Sequence, residues 1–309
     1  MITVTQLGKR YGDLVAVDGV TFTADPGTIF GLLGPNGAGK STTIGCISGL
    51  LKPTSGRITV LGHDVLTDRV AARRQLGIVP QELALYEDLS AQENLAYWGA
   101  AYGMTGDALR RRVLEVLERL GLSDRAKEPV KRFSGGMKRR LNFGCGIVHS
   151  PKVLLLDEPT VGVDPQSRVR LLELVAEEVA TGTCVLYTTH YMEEAQDLCT
   201  RLAIIDHGKL LAMGTLDELR RMIGEKDIVR LSGRFDVAAV RRALDQAGGV
   251  EIVSADERML RLAAEGASRR LPVILSAVTG AGCELLETSL SQPSLESLFI
   301  KLTGRELRE

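Results

Sequence analysis

The sequence predicts an α/β protein: a largely parallel sheet with its helices, followed by a smaller α+β unit. Three observations point there. Residues 34–42 read Gly-Pro-Asn-Gly-Ala-Gly-Lys-Ser-Thr, a phosphate loop between a strand-like run at 28–33 and a helix-forming stretch at 42–50. Val153-Leu154-Leu155-Leu156 is continuously apolar, as expected of a parallel strand buried on both faces. Past Gly214 the order of elements becomes β-α-β-β-α-β, the order of a small ferredoxin-like sandwich.

Bulk properties bound the function. A chain of 309 residues has room for about two domains. With 44% hydrophobic and 25% charged residues it reads as an ordinary globular protein with ample core. The formal net charge of -1 argues against a general nucleic-acid binder, which needs a basic surface, so no nucleic acid is expected as a partner. Five scattered cysteines (Cys46, Cys145, Cys184, Cys199, Cys283) with no C-x-x-C pair fit neither a zinc site nor a disulfide framework. They read as small core side chains in a reducing compartment. No signal peptide is expected, since the second residue already opens a strand-like run. No uncharged apolar stretch approaches the roughly 18 residues of a membrane span. Any membrane-crossing part of a transport system is therefore expected on another polypeptide.

Residues 2–5 and 16–24 read as strands, with Tyr11 in the loop between them. Upstream of a phosphate loop, its flat ring offers a stacking face for a nucleobase; its plainer use is to cover a sheet edge. Gly34, Gly37 and Gly39, with Pro35, Asn36 and Ala38 between them, let backbone N–H groups turn toward a phosphate with no Cβ in the way. The helix that follows, through Ser41 and Thr42, adds unpaired N–H groups and its positive dipole end. Lys40 would set its ammonium between the β- and γ-phosphates, and Ser41 its hydroxyl on Mg²⁺.

After a break at 52–56, a strand (57–61), a helix (68–76) and a short strand (77–79) lead to Pro80-Gln81. The carbonyl oxygen of Gln81 is able to hold a metal or a water; the alternative is ordinary polar surface. Ser90-Ala91-Gln92-Glu93 is a capping box that opens a helix reaching about Tyr102. A second helix, 107–120, carries a stripe of Leu109, Val113, Leu114, Val116, Leu117 and Leu120, and Gly121 closes it. These helices interrupt the strand–helix alternation and are expected to stand apart as a subdomain over about 86–150. Ser134 caps a further helix running through Val148. Gly135 and Gly136 leave bare N–H groups at its tip, either a second anion site or a plain cap with tight packing.

The strand at 153–156 ends in Asp157-Glu158-Pro159. Opposite a phosphate loop, Asp157 is placed to hold Mg²⁺, and Glu158 is free to orient or deprotonate a water. A turn at 161–165, a helix at 166–180 and a strand at 183–187 lead to Thr188-Thr189-His190. That histidine is either a donor to a γ-phosphate or a satisfied structural residue. A helix at 191–199 and strands at 201–206 and 209–213 follow. In the last third the pattern predicts helices at 215–223, 237–246, 268–278 and 295–302, and strands at 228–231, 250–254, 259–263 and 284–288. No catalytic constellation is visible there, and its charges are balanced.

The order of phosphate loop, Gln81, Ser134-Gly135-Gly136, Leu156-Asp157-Glu158 and His190 resembles the ATP-binding subunit of an ABC transporter. The resemblance covers about residues 1–220. It implies a P-loop NTPase of ABC type with the helical subdomain at about 86–150, and leaves 221–309 as a C-terminal accessory domain. It also implies that Tyr11 stacks on adenine and that Gln81 senses the γ-phosphate and signals to a membrane partner. On the same basis Asp157 would hold Mg²⁺, Glu158 would be the catalytic base, His190 the switch histidine, and Asp164 would sit at a dimer seam. The stretch from Phe133 to Arg140, together with 293–304, is similar to exporter ATPases of the daunorubicin/multidrug-resistance kind, which pair with a separate permease. Phe133 and Met137 depart from the commoner Leu-Ser-Gly-Gly-Gln, and Val161 and Val163 make the turn before Asp164 more apolar.

The expectation is an ATPase using ATP and Mg²⁺, lying on the cytoplasmic inner face of the cell membrane. It would energise a permease that exports a drug, a lipid or another amphipathic compound. A lone chain is expected to supply half a catalytic pocket, completed by Ser134, Gly135 and Gly136 of a second copy arranged head to tail. Two alternatives are a non-transport ATPase of the same superfamily acting in DNA repair or translation, and a regulatory GTPase. The first should show a coiled coil or a second ATPase copy, the other an N-K-x-D or T-K-x-D motif; the sequence contains neither.

Overall fold

The computed structural model describes residues 1–223, 226–291 and 295–303; Pro293, Ser294 and Gly304 of the C-terminal exporter-like stretch lie outside the described residues. The chain divides into two compact units, Met1–Leu216 and one that begins at Asp217.

In the first unit, β1 (Ile2–Tyr11) and β2 (Leu14–Ala24) form an antiparallel hairpin. Both are longer than their sequence pattern suggests, because register shifts between Val4 and Arg10 break the alternation that marks a strand. Tyr11 accordingly ends β1 instead of sitting in a loop. Then come β3 (Ile29–Leu33), α1 (Lys40–Ile47), β4 (Ser55–Val60), β5 (His63–Asp64), α2 (Arg69–Arg74) and β6 (Leu76–Val79). Helix α1 stops short of the expected Leu50 because Gly49 turns at φ 69 and Arg73 binds the carbonyls of Ser48 and Gly49. The helical insert is α3 (Ala91–Ala101), α4 (Gly106–Arg119) and α5 (Gly135–Ile147). The alternation resumes with β7 (Val153–Asp157), α6 (Pro165–Ala180), β8 (Cys184–Thr189), α7 (Met192–Leu198), β9 (Arg201–Asp206) and β10 (Lys209–Gly214).

Strands β2-β1-β4-β5 make one antiparallel sheet, and β10-β9-β3-β8-β7-β6 a second. In the second, every pair from β9 to β6 is parallel and β10 is an antiparallel edge. Strand β7 is buried at every residue because its two faces feed different cores. Val153 and Leu155 pack with residues of the antiparallel sheet such as Ile2 and Val4. Leu154 and Leu156 pack with the helical insert through residues such as Leu95, Leu117 and Leu141. Parallel strands place the phosphate loop, Gln81, Glu158 and His190, which follow β3, β6, β7 and β8, along one carboxyl edge.

The capping box on α3 is formed: Ser90 N–H donates to Glu93 at 2.8 Å and Glu93 N–H to the Ser90 hydroxyl at 3.2 Å. The α4 stripe is narrower than expected. Val113, Val116, Leu117 and Leu120 are buried, whereas Leu114 is 58% exposed, one residue off their i, i+3, i+4, i+7 face. Burial raises the thiols of Cys46, Cys145, Cys184 and Cys199, in keeping with core side chains.

The second unit starts within α8 (Leu216–Ile223) and continues as β11 (Asp227–Arg234), α9 (Val237–Ala247), β12 (Val250–Ala255), β13 (Met259–Ala264), α10 (Ala267–Gly280), β14 (Glu284–Ser291) and α11 (Leu295–Thr303). Its antiparallel sheet runs β12-β13-β11-β14, the ferredoxin-like arrangement expected from the element order. Val229, Leu231, Leu260 and Leu262 share one core with Val240, Leu244, Ile274 and Val278. Asp227 caps α10 from across the sheet, accepting the Ala267 N–H at 2.8 Å.

Behind β6, the ring of His149 stacks on Tyr102 with centroids 3.5 Å apart. His149 Nε2 and the Tyr102 hydroxyl both donate to the Leu76 carbonyl, at 3.0 and 3.1 Å. Burial lowers the His149 pKa from 6.5 to about 4. Above pH 6.5 neither state carries the charge; as pH falls from 6.5 toward 4 the unfolded chain takes up a proton that the folded one refuses. His149 therefore works against the fold across that window. His149→Phe, which keeps a ring against Tyr102, is expected to flatten the decline in Tm over those acidic steps; a decline as steep as that of the parent would clear His149 of this role.

Candidate active site

The phosphate loop bends through Gly37 at φ 81 and Gly39 at φ 104, conformations that L side chains rarely adopt. A Cβ on Gly39 would also run into the Ala16 carbonyl, so the loop lies close against β2. With Gly39 as the left-handed N-cap, α1 starts at Lys40, two residues earlier than the sequence suggests. The Lys40 ammonium is almost fully buried and its three donors all have acceptors. These are the carbonyls of Gly34 at 2.7 Å and Pro35 at 3.0 Å, and Glu158 Oε1 at 2.9 Å.

Glu158 joins this centre to His190, whose Nδ1 lies 2.9 Å from Glu158 Oε2. Its backbone sits at φ 44, a left-handed conformation costly for a side chain with a Cβ. Thr188 holds it there: the Glu158 N–H donates to the Thr188 hydroxyl at 3.0 Å and lies 3.2 Å from the Thr188 carbonyl. The same hydroxyl donates to Asp157 Oδ1 at 2.7 Å. One fully buried threonine thus orients both acids at the end of β7. The sequence reading passed over it; the signal was a pair of threonines ending an otherwise apolar strand.

A cleft of about 520 Å³ is lined by Tyr11, Asn36, Gly37, Gly39, Lys40, Ser41, Thr42, Gln81 and Glu158 among the residues singled out from sequence. It also draws in Leu14, Val15, Ala16 and His207, which were not. The first three come from the start of β2, beside Tyr11 in the β1–β2 hairpin, and His207 from the turn after β9. Gly34 and Pro35 act through their carbonyls on Lys40, and Ala38 is buried. Asp157 and His190 flank Glu158. Tyr11 is about half exposed, and Lys9 Nζ stands 4.7 Å from its ring centroid. The cleft fits a nucleoside triphosphate: an open aromatic ring, a glycine-bent loop and a helix N-terminus. Ser41, Gln81 and Asp157 offer the oxygen ligands that Mg²⁺ prefers. Among the described residues no group of three or more His, Cys, Asp or Glu forms a protein-only metal cage. Mg²⁺ bound largely through phosphate and water oxygens needs none.

Ser134, Gly135 and Gly136 do not line this cleft. Ser134 caps α5, accepting the Met137 N–H at 3.3 Å, and Gly135 is open to solvent. Gly136 is pressed on α6, where a Cβ would meet the Ser167 side chain. Met137, which stands where a glutamine is commoner, packs on the helical core. Asp164 caps α6 by accepting the Ser167 N–H at 2.9 Å, and that bond holds its carboxyl below the usual range. Arg139 is hidden in a basic run of the sequence. From α5 its guanidinium donates to the Gln81 carbonyl and, at 3.0 Å, to the Val161 carbonyl. Asn142, one turn on, accepts the Ala84 N–H at 2.9 Å and donates to the Pro80 carbonyl at 3.3 Å.

A phosphate loop, paired acids and a histidine on one carboxyl edge define a nucleotide-binding α/β ATPase. Comparison with known proteins narrows this. The family pattern described as "ABC transporter" matches residues 17–161. The linearmycin resistance ATP-binding protein LnrL of Bacillus subtilis is 44% identical over the whole of both chains. The daunorubicin/doxorubicin resistance ATP-binding protein DrrA of Streptomyces peucetius is 38% identical over 98% of this chain and 92% of its own. Among solved structures, an ATP-binding subunit of an ABC transporter superposes with a TM-score of 0.67 at 35% identity, over 72% of this chain and 93% of that one. The chain belongs to the ATP-binding proteins of ABC transporters, and within them it is similar to the drug-resistance exporter ATPases. It binds and hydrolyses ATP. These relatives support the transport reading over DNA repair or translation.

Lys40→Ala is expected to weaken ATP binding about 10- to 100-fold, the worth of a charge-assisted hydrogen bond. Titration with a fluorescent ATP analogue measures it, and an unchanged affinity would remove Lys40 from the phosphate site.

Proposed function

We propose that this chain is the Mg²⁺-dependent ATPase of an exporter, working as a head-to-tail pair on the inner face of the membrane and driving a separate permease. The observation that carries the proposal is the buried contact of Lys40 with Glu158, backed by His190, in a cleft that Tyr11 also lines. Tyr11 stacks on the base, and residues 34–42 hold the phosphates. An oxygen of the γ-phosphate reaches the Lys40 ammonium by displacing a present acceptor. Exchange of the Glu158 partner is the one that also frees a carboxylate. Glu158 then takes the proton of the attacking water, and His190 donates toward the γ-phosphate. Ser41, Gln81 and Asp157 would hold Mg²⁺, which supplies charge neutralisation between the phosphates.

The exposed tip of α5 supports a catalytic face supplied in trans. Ser134 and Gly135 at that tip are exposed and do not line the chain's own cleft, and a donor added from a partner is worth about 10³–10⁵ in rate. Asp164 would lie at that seam. Around the Gln81 segment, Leu83, Tyr86 and Tyr97 are exposed, with the two tyrosine rings 4.8 Å apart. This apolar surface suits a permease loop, consistent with the permease link assigned to Gln81. Among the described residues no helix is long and apolar enough to cross a membrane. Residues 1–220 are the ATPase domain and 221–309 an accessory domain in this reading. The drug-resistance names of its relatives favour an amphipathic cargo.

Glu158→Gln is expected to keep ATP binding, stop turnover and accumulate an ATP-dependent dimer in size-exclusion chromatography with light scattering. Gly135→Pro added to that variant removes one exposed N–H at a helical position that tolerates proline, and is expected to abolish the dimer. Normal turnover in Glu158→Gln would sink the role of Glu158; a dimer indifferent to Gly135→Pro would sink the in-trans face.

A further inference from the structure

Glu194, in the first turn of α7, is 4% exposed and does not line the cleft. A carboxylate this deep needs compensating partners, since burying a charge without them is costly. Its Oε2 accepts from three hydroxyls: Tyr187 at 2.8 Å, Thr160 at 2.9 Å and Thr189 at 3.2 Å. Its Oε1 lies 3.3 Å from Arg168 Nε. Burial, and then the Glu194 charge, push the Tyr187 phenol well above its ordinary pKa, so Tyr187 keeps its proton and serves as a donor.

These partners come from separate segments, and two of them flank the catalytic pair. Thr160 lies two residues past Glu158, and Thr189 immediately precedes His190. The Tyr191 N–H donates back to the Thr189 hydroxyl at 2.9 Å, closing the chain around His190. Arg168 belongs to α6, the helix that Asp164 caps, and its guanidinium stands 4.9 Å from the Tyr191 ring. The strained backbone at Glu158 persists only if both of its flanks are held. Thr188 bonds its own N–H, and Thr160 ties the turn beyond it to Glu194.

We infer that Glu194 is a positioning residue for ATP hydrolysis, clamping the turn after Glu158 and the strand end before His190 so that the two side chains meet. This rests on the roles proposed above for Glu158 and His190. Replacing the carboxylate by an amide either sets an N–H₂ group among hydroxyl donors or turns it toward Arg168, and in both cases the charge that faces Arg168 is lost.

Steady-state ATPase kinetics on the full chain test the inference. Glu194→Gln is expected to lower kcat about 10- to 100-fold, as a small misplacement of a reacting group does, and to leave the KM for ATP within about twofold. A purely structural role would not give the second result: combined with His190→Ala, Glu194→Gln should slow turnover no further than His190→Ala alone. Losses that multiply in the double variant, a kcat near that of the parent, or a KM that rises as kcat falls would each overturn the inference. If Glu194→Gln does not fold, Thr160→Val and Thr189→Val enter the same cycle with the same criteria. Normal turnover in His190→Ala alone would instead sink the role given to His190, and the clamp with it.

Discussion

The buried pairing of Lys40 with Glu158 is the contact on which the rest of the site depends. Neither charge survives cheaply at that depth without the other, and neither is satisfied by the other alone. Two loop carbonyls complete the ammonium, and His190 meets the second carboxylate oxygen. The pair therefore spans the loop after β3, the turn after β7 and the end of β8. A parallel sheet makes this possible, because only parallel neighbours bring three successive strand ends to the same edge. The antiparallel sheet contributes Tyr11 and the first residues of β2, so the aromatic end and the glycine-loop end of the cleft belong to different sheets.

What was legible in the sequence was chemistry carried by neighbours in the chain. The loop at 34–42, the capping box at Ser90 and Glu93, the cap at Ser134 and the acids ending β7 each need only a few consecutive residues to be recognised. What was not legible depends on partners far apart in the chain. Thr188 orients Asp157 and Glu158 from thirty or so positions away, Arg139 and Asn142 grip the Gln81 segment from a different helix, and Glu194 joins two hydroxyls of β8 to that of the distant Thr160. Nothing local distinguishes Arg139 from Lys138 and Arg140 beside it. The same limit explains β1, whose bulges hide its length, and Leu114, whose place on the stripe was one residue wrong for its face.

The second unit shows the opposite balance. Its element order and its sheet both follow the ferredoxin-like pattern, and its core is a simple layer of strand residues against α9 and α10. One device there escapes a local reading: Asp227, at the start of β11, supplies the cap that Gly266 cannot give to α10.

The bidentate reach of Arg139 has one further implication. A single planar group holds the Gln81 carbonyl and the Val161 carbonyl at once, so the two segments share one donor from α5. The surface segment at Gln81 and the stretch leading to Asp164 are thereby geared to one shaft. Losing that one guanidinium would leave both carbonyls without this donor at once.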